Sequence, residues 1–181
     1  MHRRTLIAAS AALVAAGPAF AQTTDPENTL YLDLKQGRVV IKLLPEAAPK
    51  TVAQIKTLAR EGFYDGTPFH RVIEGFMAQG GDPTGTGGGG SKLPNVPLEA
   101  SQLHFVRGVC GMARTSDPNS GNSQFFIMFA PNSSLDGQYT IWGRVVEGMD
   151  FADQIKRGAP GSGTVTDPDR IIHLRVAADL K

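Results

Sequence analysis

Only one cysteine, one tryptophan, three tyrosines and four histidines are spread over 181 residues, and each shortage removes a class of chemistry. A lone cysteine closes no internal disulfide, so stability has to come from a buried core. Cys110 sits in the apolar run Val109-Cys110-Gly111-Met112-Ala113, which reads as a strand with a structural thiol rather than a nucleophile. His70, His104 and His173 lie far apart without His-Glu-x-x-His spacing, so no metal is expected, and nothing calls for a cofactor. No Gly-x-Ser-x-Gly elbow occurs, and Ser91, Ser120 and Ser123 have no evident base beside them. Neither charge dominates, with 18 basic against 17 acidic side chains, which argues against a polyanion binder. Trp142 and the phenylalanines lack accompanying basic patches, which argues against stacking on nucleic acid. Internal repeats are absent as well.

The longest apolar run, Thr5 to Ala16, is too short to span a membrane. It follows Met1-His2-Arg3-Arg4 and precedes Ala19-Phe20-Ala21, the layout of a secretory signal, and cleavage is expected after Ala21. Residues 1–21 are therefore read as a signal peptide, 22–28 as a polar lead-in and 29–181 as one domain. Export to the periplasm is expected, by either the general or the twin-arginine route, with no membrane attachment after cleavage. Losing Arg3 and Arg4 moves the formal charge from +1 to −1.

Glycine and proline are plentiful, 21 and 12, which favours a loop-rich β fold over a helical bundle. Leu30, Leu32 and Leu34 alternate, Gln36-Gly37 turns, and Arg38 to Leu44 returns as the second arm of a hairpin. Val52, Ile55, Leu58 and Ala59 recur at helical spacing after Pro49, and Gly62 ends that helix. Further strands are expected near 69–73, 76–79, 109–113, 123–129, 139–146 and 172–176, with a second helix over Met149 to Arg157. Seven or eight strands with two amphipathic helices satisfy a closed antiparallel barrel with helical lids, which leaves no sheet edges. Asp82 to Asn95 contains Gly85-Thr86-Gly87-Gly88-Gly89-Gly90-Ser91-Lys92, but the Lys-Ser order of a phosphate loop is reversed and prolines follow where a helix should start. It is read as a flexible loop.

The chain is organised around Phe69-His70-Arg71-Val72-Ile73-Glu74-Gly75-Phe76-Met77-Ala78-Gln79-Gly80-Gly81-Asp82. Two short strand pieces there carry a fork donor, two large apolar side chains and an amide. His70 is the only group in it able to exchange a proton near neutrality, so chemistry here would rest on shape, desolvation and hydrogen bonding. Taken alone, the stretch reads as an ordinary hairpin with a surface arginine and core Phe and Met.

That stretch, with Met112-Ala113, Ser123-Gln124-Phe125-Phe126-Ile127 and Leu135-Asp136-Gly137, resembles the signature blocks of the cyclophilins, in order from about Leu30 to the C-terminus. The resemblance implies a mainly β fold, a closed eight-stranded antiparallel barrel capped by two α-helices, and peptidyl-prolyl cis-trans isomerase activity of the exported bacterial type. It implies Arg71 and Gln79 as catalytic residues, Arg71 donating to the prolyl nitrogen and Gln79 bonding substrate backbone and supporting Arg71. Phe76, Met77, Phe126 and Leu135 line a proline slot, with Ala113, Arg114, Gln124 and Tyr139 bordering the groove. Partners implied are unfolded or partly folded proline-containing polypeptides, and a monomer is expected. A proline-peptide-binding chaperone without useful turnover is the alternative.

Three positions depart from the family pattern. Arg114 replaces a common asparagine and adds charge to the groove, and Tyr139 replaces a pocket histidine. Ser134 stands where cyclosporin-sensitive members carry tryptophan, so weak cyclosporin binding is expected.

Overall fold

Alternating leucines build the first hairpin. In the structure, a computed structural model describing residues 25–180, β1 (Thr29–Leu34) pairs antiparallel with β2 (Gly37–Leu43), and Leu30, Leu32 and Leu34 are buried. The signal-peptide reading of residues 1–21 and the first part of the lead-in lie outside the described residues. Helix α1 (Pro49–Arg60) follows, its face of Val52, Ile55, Leu58 and Ala59 buried in the main core. Each such Val, Ile or Leu contributes about 1.5–3 kcal/mol by leaving water. Ala48 supplies no side-chain cap to this helix. Glu99, from a distant loop, does so instead, accepting from the N–H groups of Lys50 at 2.9 Å and Thr51 at 2.8 Å. At the other end Gly62 takes φ +68°, and Phe63 N–H reaches back to Leu58 O at 3.0 Å, the Schellman closure.

Six more strands complete one antiparallel sheet: β3 (Arg71–Ile73), β4 (Met77–Gly80), β5 (Val109–Met112), β6 (Phe125–Met128), β7 (Ile141–Glu147) and β8 (His173–Val176). The ladder order is β3-β4-β6-β5-β7-β2-β1-β8. The expected closed barrel is corrected here: no ladder joins β3 to β8, and the sheet is a half-barrel. The reason is that chain 158–171 lies where a closing ladder would run. Val72 N–H donates to Gly163 O at 2.7 Å, Val165 N–H to His70 O at 3.1 Å and Phe69 N–H to Asp169 O at 2.9 Å. A loop, not a strand pair, satisfies that edge.

The second helix is also corrected. Helix α2 covers only Met149–Ala152 instead of running to Arg157. Gly148 precedes it in the left-handed region without a side-chain cap, and Gln154 and Ile155 bond three residues back, tightening the last turn. Asp153 is then drawn to Arg107, and Lys156 N–H to Asp169, which takes the chain off the helix axis. The apolar spacing still did its work, since Ala152 and Ile155 are buried.

Strand alternation divides the side chains into two cores. Val72, Ala78, Cys110, Met112, Phe125 and Ile127 face the main one. Their neighbours Met77, Val109, Phe126 and Met128 face the opposite side and gather with Phe105 and Ile141. The candidate site lies on that second face.

Candidate active site

The register of four strands places the site. Arg71 on β3 stands opposite Gln79 on β4, Gln79 opposite Phe126 on β6, and Phe126 opposite Gly111 on β5. One row across the sheet thus carries a guanidinium, an amide, an aromatic ring and a gap. Phe126 is 6% exposed and Met77 2%, so both are core residues that also line a surface cavity.

That cavity has a volume of about 230 Å³. Phe76, Met77, Phe126 and Leu135 form its apolar side, and Arg71, Gln79, Ala113, Arg114 and Tyr139 complete it. Phe126 is held between Phe105, stacked at 5.6 Å, and Tyr139, edge-on at 5.9 Å. Leu135 ends a short 3-10 turn, Ser133–Leu135, in which the Asn132 side chain caps the Ser134 N–H. Arg114 does not reach freely into the groove. Its guanidinium lies 4.5 Å from the Tyr139 ring centre and donates to the carbonyls of Gln138 and Thr115.

Arg71 is half-buried and braced twice. Its Nε donates to Ser162 O at 3.2 Å and its Nη1 to Gln79 Oε1 at 3.4 Å. Among the described residues Nη2 has no partner, which leaves donors at the cavity. Gln79 Nε2 donates in turn to Gln124 Oε1 at 2.9 Å. Gln124, read from sequence as bordering the groove, lines a second hollow of about 370 Å³ that shares Gln79, Ala113 and Arg114 with the first.

The second hollow shows what the sequence reading missed. Its far wall is the glycine-rich run Gly87 to Ser91 with Asn122, a segment read as flexible. It is held from both ends. Asp82, fully buried, accepts from Thr84, Gly87 and Gly89, while Asn122 Oδ1 accepts from Ser91 N–H and hydroxyl. The signal available was an aspartate followed by Thr and Gly at short spacing, a side chain suited to bond nearby N–H groups.

His70, beside Arg71, is buried with both ring nitrogens unpartnered among the described residues, and its pKa is held below 6.5 by that burial. Arg71 pushes in the same direction and Asp82 opposes it. Burial drives the Cys110 thiol upward, so neither group is poised for proton transfer near neutrality. No group of three or more His, Cys, Asp or Glu side chains converges among the described residues.

Residues 29–176 match the family model described as "Cyclophilin type peptidyl-prolyl cis-trans isomerase/CLD". A probable peptidyl-prolyl cis-trans isomerase of Brucella suis is 51% identical over 188 residues, covering 96% of each chain. The human peptidyl-prolyl cis-trans isomerase-like 1 is 43% identical over 135 residues, covering 72% of this chain and 80% of that one. Among solved structures, cyclophilin AquaCyp293 from Hirschia baltica superposes with a TM-score of 0.77 at 34% identity, over 87% of this chain and 77% of the other. A Cryptosporidium parvum cyclophilin-type isomerase, solved in the presence of the dipeptide Ala-Pro, gives 0.76 at 30% identity, over 82% and 98%.

Proposed function

The chain belongs to the cyclophilin-type peptidyl-prolyl cis-trans isomerases, and from that premise we propose that Arg71 stabilises the twisted X-Pro bond directly. The observation that carries this is a doubly braced guanidinium on a cavity whose other side is apolar. Amide resonance sets a rotation barrier of about 18–20 kcal/mol. Halfway through rotation the prolyl nitrogen has a free lone pair, which the planar ground states lack. A donor placed against it binds the twisted form in preference to either planar isomer, which lowers the barrier.

Phe76, Met77, Phe126 and Leu135 hold the proline ring and exclude water, which strengthens the arginine bond. Gln79 keeps Nη1 occupied, so the guanidinium plane is fixed before substrate arrives, and its amide borders the path of the substrate backbone. Arg114 and Tyr139 form the polar rim. Substrates are proline-containing segments of unfolded or partly folded chains.

The test is Arg71→Ala in a proline-limited peptide isomerisation assay. Loss of one preorganised donor lowers kcat/KM on the order of 10²-fold. An Arg71→Ala protein that is folded and as fast as the parent would remove Arg71 from the mechanism.

We place this activity outside the cytoplasm, in the folding of exported proteins, on the strength of the leader-like residues 1–21. N-terminal analysis of protein from the periplasm should find Gln22 first; an intact Met1 there would overturn the export reading.

A further inference from the structure

We propose that Asp82 is a positioning residue for Arg71, acting through the glycine-rich loop and two amides; this rests on the role just given to Arg71. The contacts run as one relay. Asp82 Oδ2 accepts from the N–H groups of Gly87 at 2.7 Å and Gly89 at 3.1 Å, and Oδ1 accepts from Thr84 N–H at 2.7 Å and its hydroxyl at 2.8 Å. With their N–H groups turned to the carboxylate, the same two glycines turn their carbonyls to Gln124. Its Nε2 donates to Gly87 O at 2.9 Å and Gly89 O at 2.8 Å.

A carbonyl can only accept, so two of them facing one end of an amide require its NH₂ there. The Gln124 oxygen is then forced toward Gln79, whose NH₂ it receives, and the Gln79 oxygen is forced toward Arg71 Nη1. Reversing Gln79 would set N–H against the guanidinium and release it, and reversing Gln124 would set NH₂ against the Gln79 NH₂ and drive that reversal. A buried carboxylate under the glycine-rich loop thereby determines which atom of Gln79 faces Arg71. The isosteric Asp82→Asn change turns one acceptor into a donor, set against N–H groups of the loop. Gly89 is part of the same device: a methyl group there would collide with Asp82 Oδ1 and lie 2.8 Å from Thr84 Oγ1.

The experiment measures kcat and KM for a small proline peptide with the full chain carrying Asp82→Asn, Gly89→Ala, Gln124→Ala, each loop variant combined with Gln124→Ala, and Arg71→Ala alongside. Misplacing a reacting group from a distance costs on the order of tenfold or more, so Asp82→Asn and Gly89→Ala should each lower kcat about tenfold with KM little changed. Coupled residues are not additive, so either change should cost less than about twofold once Gln124 is already alanine. Parent-like kcat in folded Asp82→Asn and Gly89→Ala would overturn the relay, as would a full tenfold loss on top of Gln124→Ala. If Asp82→Asn does not fold, Gly89→Ala, in a surface loop, decides alone. If Arg71→Ala keeps the parent rate, both the arginine mechanism and the relay fall; if Arg71→Ala is slow and the loop variants are fast, only the relay does.

Discussion

Gly111 on β5 lies directly opposite Phe126 on β6, and the tip of the Phe126 ring fills the space that a side chain at position 111 would need. A methyl group there would also come within 2.8 Å of Phe105 Cε1, on the ring stacked against Phe126. Phe105 backs one face of Phe126, and the cavity that Phe126 lines is open space beside it. The depth of the cavity is therefore set by a missing side chain on the neighbouring strand.

Gly111→Ala should push the Phe126 ring into the slot. Overpacking of this kind costs about 1–3 kcal/mol of stability. Turnover of proline peptides should fall mainly through a raised KM, with the protein still folded at room temperature. Denaturant midpoints and steady-state kinetics on the same preparation check both; an unchanged KM would mean that the ring finds room elsewhere.

Activity should be flat from mildly acidic to mildly basic pH, because guanidinium groups stay charged there and burial disfavours the charged form of His70. Stability should not be flat. The folded-state pKa of His70 is depressed, so below about pH 6.5 the unfolded chain takes up a proton that the native one refuses. This contribution is fully present above pH 6.5 and is lost as pH falls toward the folded value. Urea midpoints at pH 7.5 and 5.5 should differ for the parent and differ less for His70→Phe. A bell-shaped rate profile near neutrality would instead indicate acid–base chemistry.

Cyclosporin should inhibit weakly. Ser134 is exposed, does not line the cavity beside Arg71 and turns its hydroxyl back to Asn132 Oδ1 at 2.7 Å. A buried indole contact is commonly worth about 2 kcal/mol at an interface, more than a tenfold change in affinity. Ser134→Trp should tighten inhibition by at least that factor and leave peptide turnover near the parent value. Equally tight inhibition of parent and variant would show that position 134 does not set drug binding.

Glu99→Ala should destabilise the fold without touching the site. The carboxylate takes two N–H groups at the start of α1 where Ala48 offers nothing, and losing such a cap costs about 1–2 kcal/mol. A lower urea midpoint with unchanged kcat/KM is the expected result.

Local periodicity was readable; long-range pairing was not. Leu30, Leu32 and Leu34 announced a half-buried strand, and Val52, Ile55 and Leu58 a helix, because each pattern repeats within a few residues. The candidate site residues stood out only as ordered blocks resembling a family, since nothing in Phe76-Met77 by itself separates a slot from a core. The cap from Glu99, 48 and 49 residues away from its partners, has no local signature. Nor do the bonds from Gln124 to Gly87 and Gly89, 37 and 35 residues away, which is why the glycine-rich run looked unstructured. The closed barrel was expected because strands need partners. Gly163 and Asp169 instead supply those bonds from a loop, and a loop carries no alternating pattern to reveal the substitution.

The brace on Arg71 from Ser162 O comes from 91 residues downstream. During synthesis from the N-terminus, β3 and β4 emerge long before that carbonyl exists, and so do Gln124 and the loop it grips. The two supports of the guanidinium therefore become available at different times, the Gln79 amide first and the Ser162 carbonyl later, from a segment that lines none of the cavity.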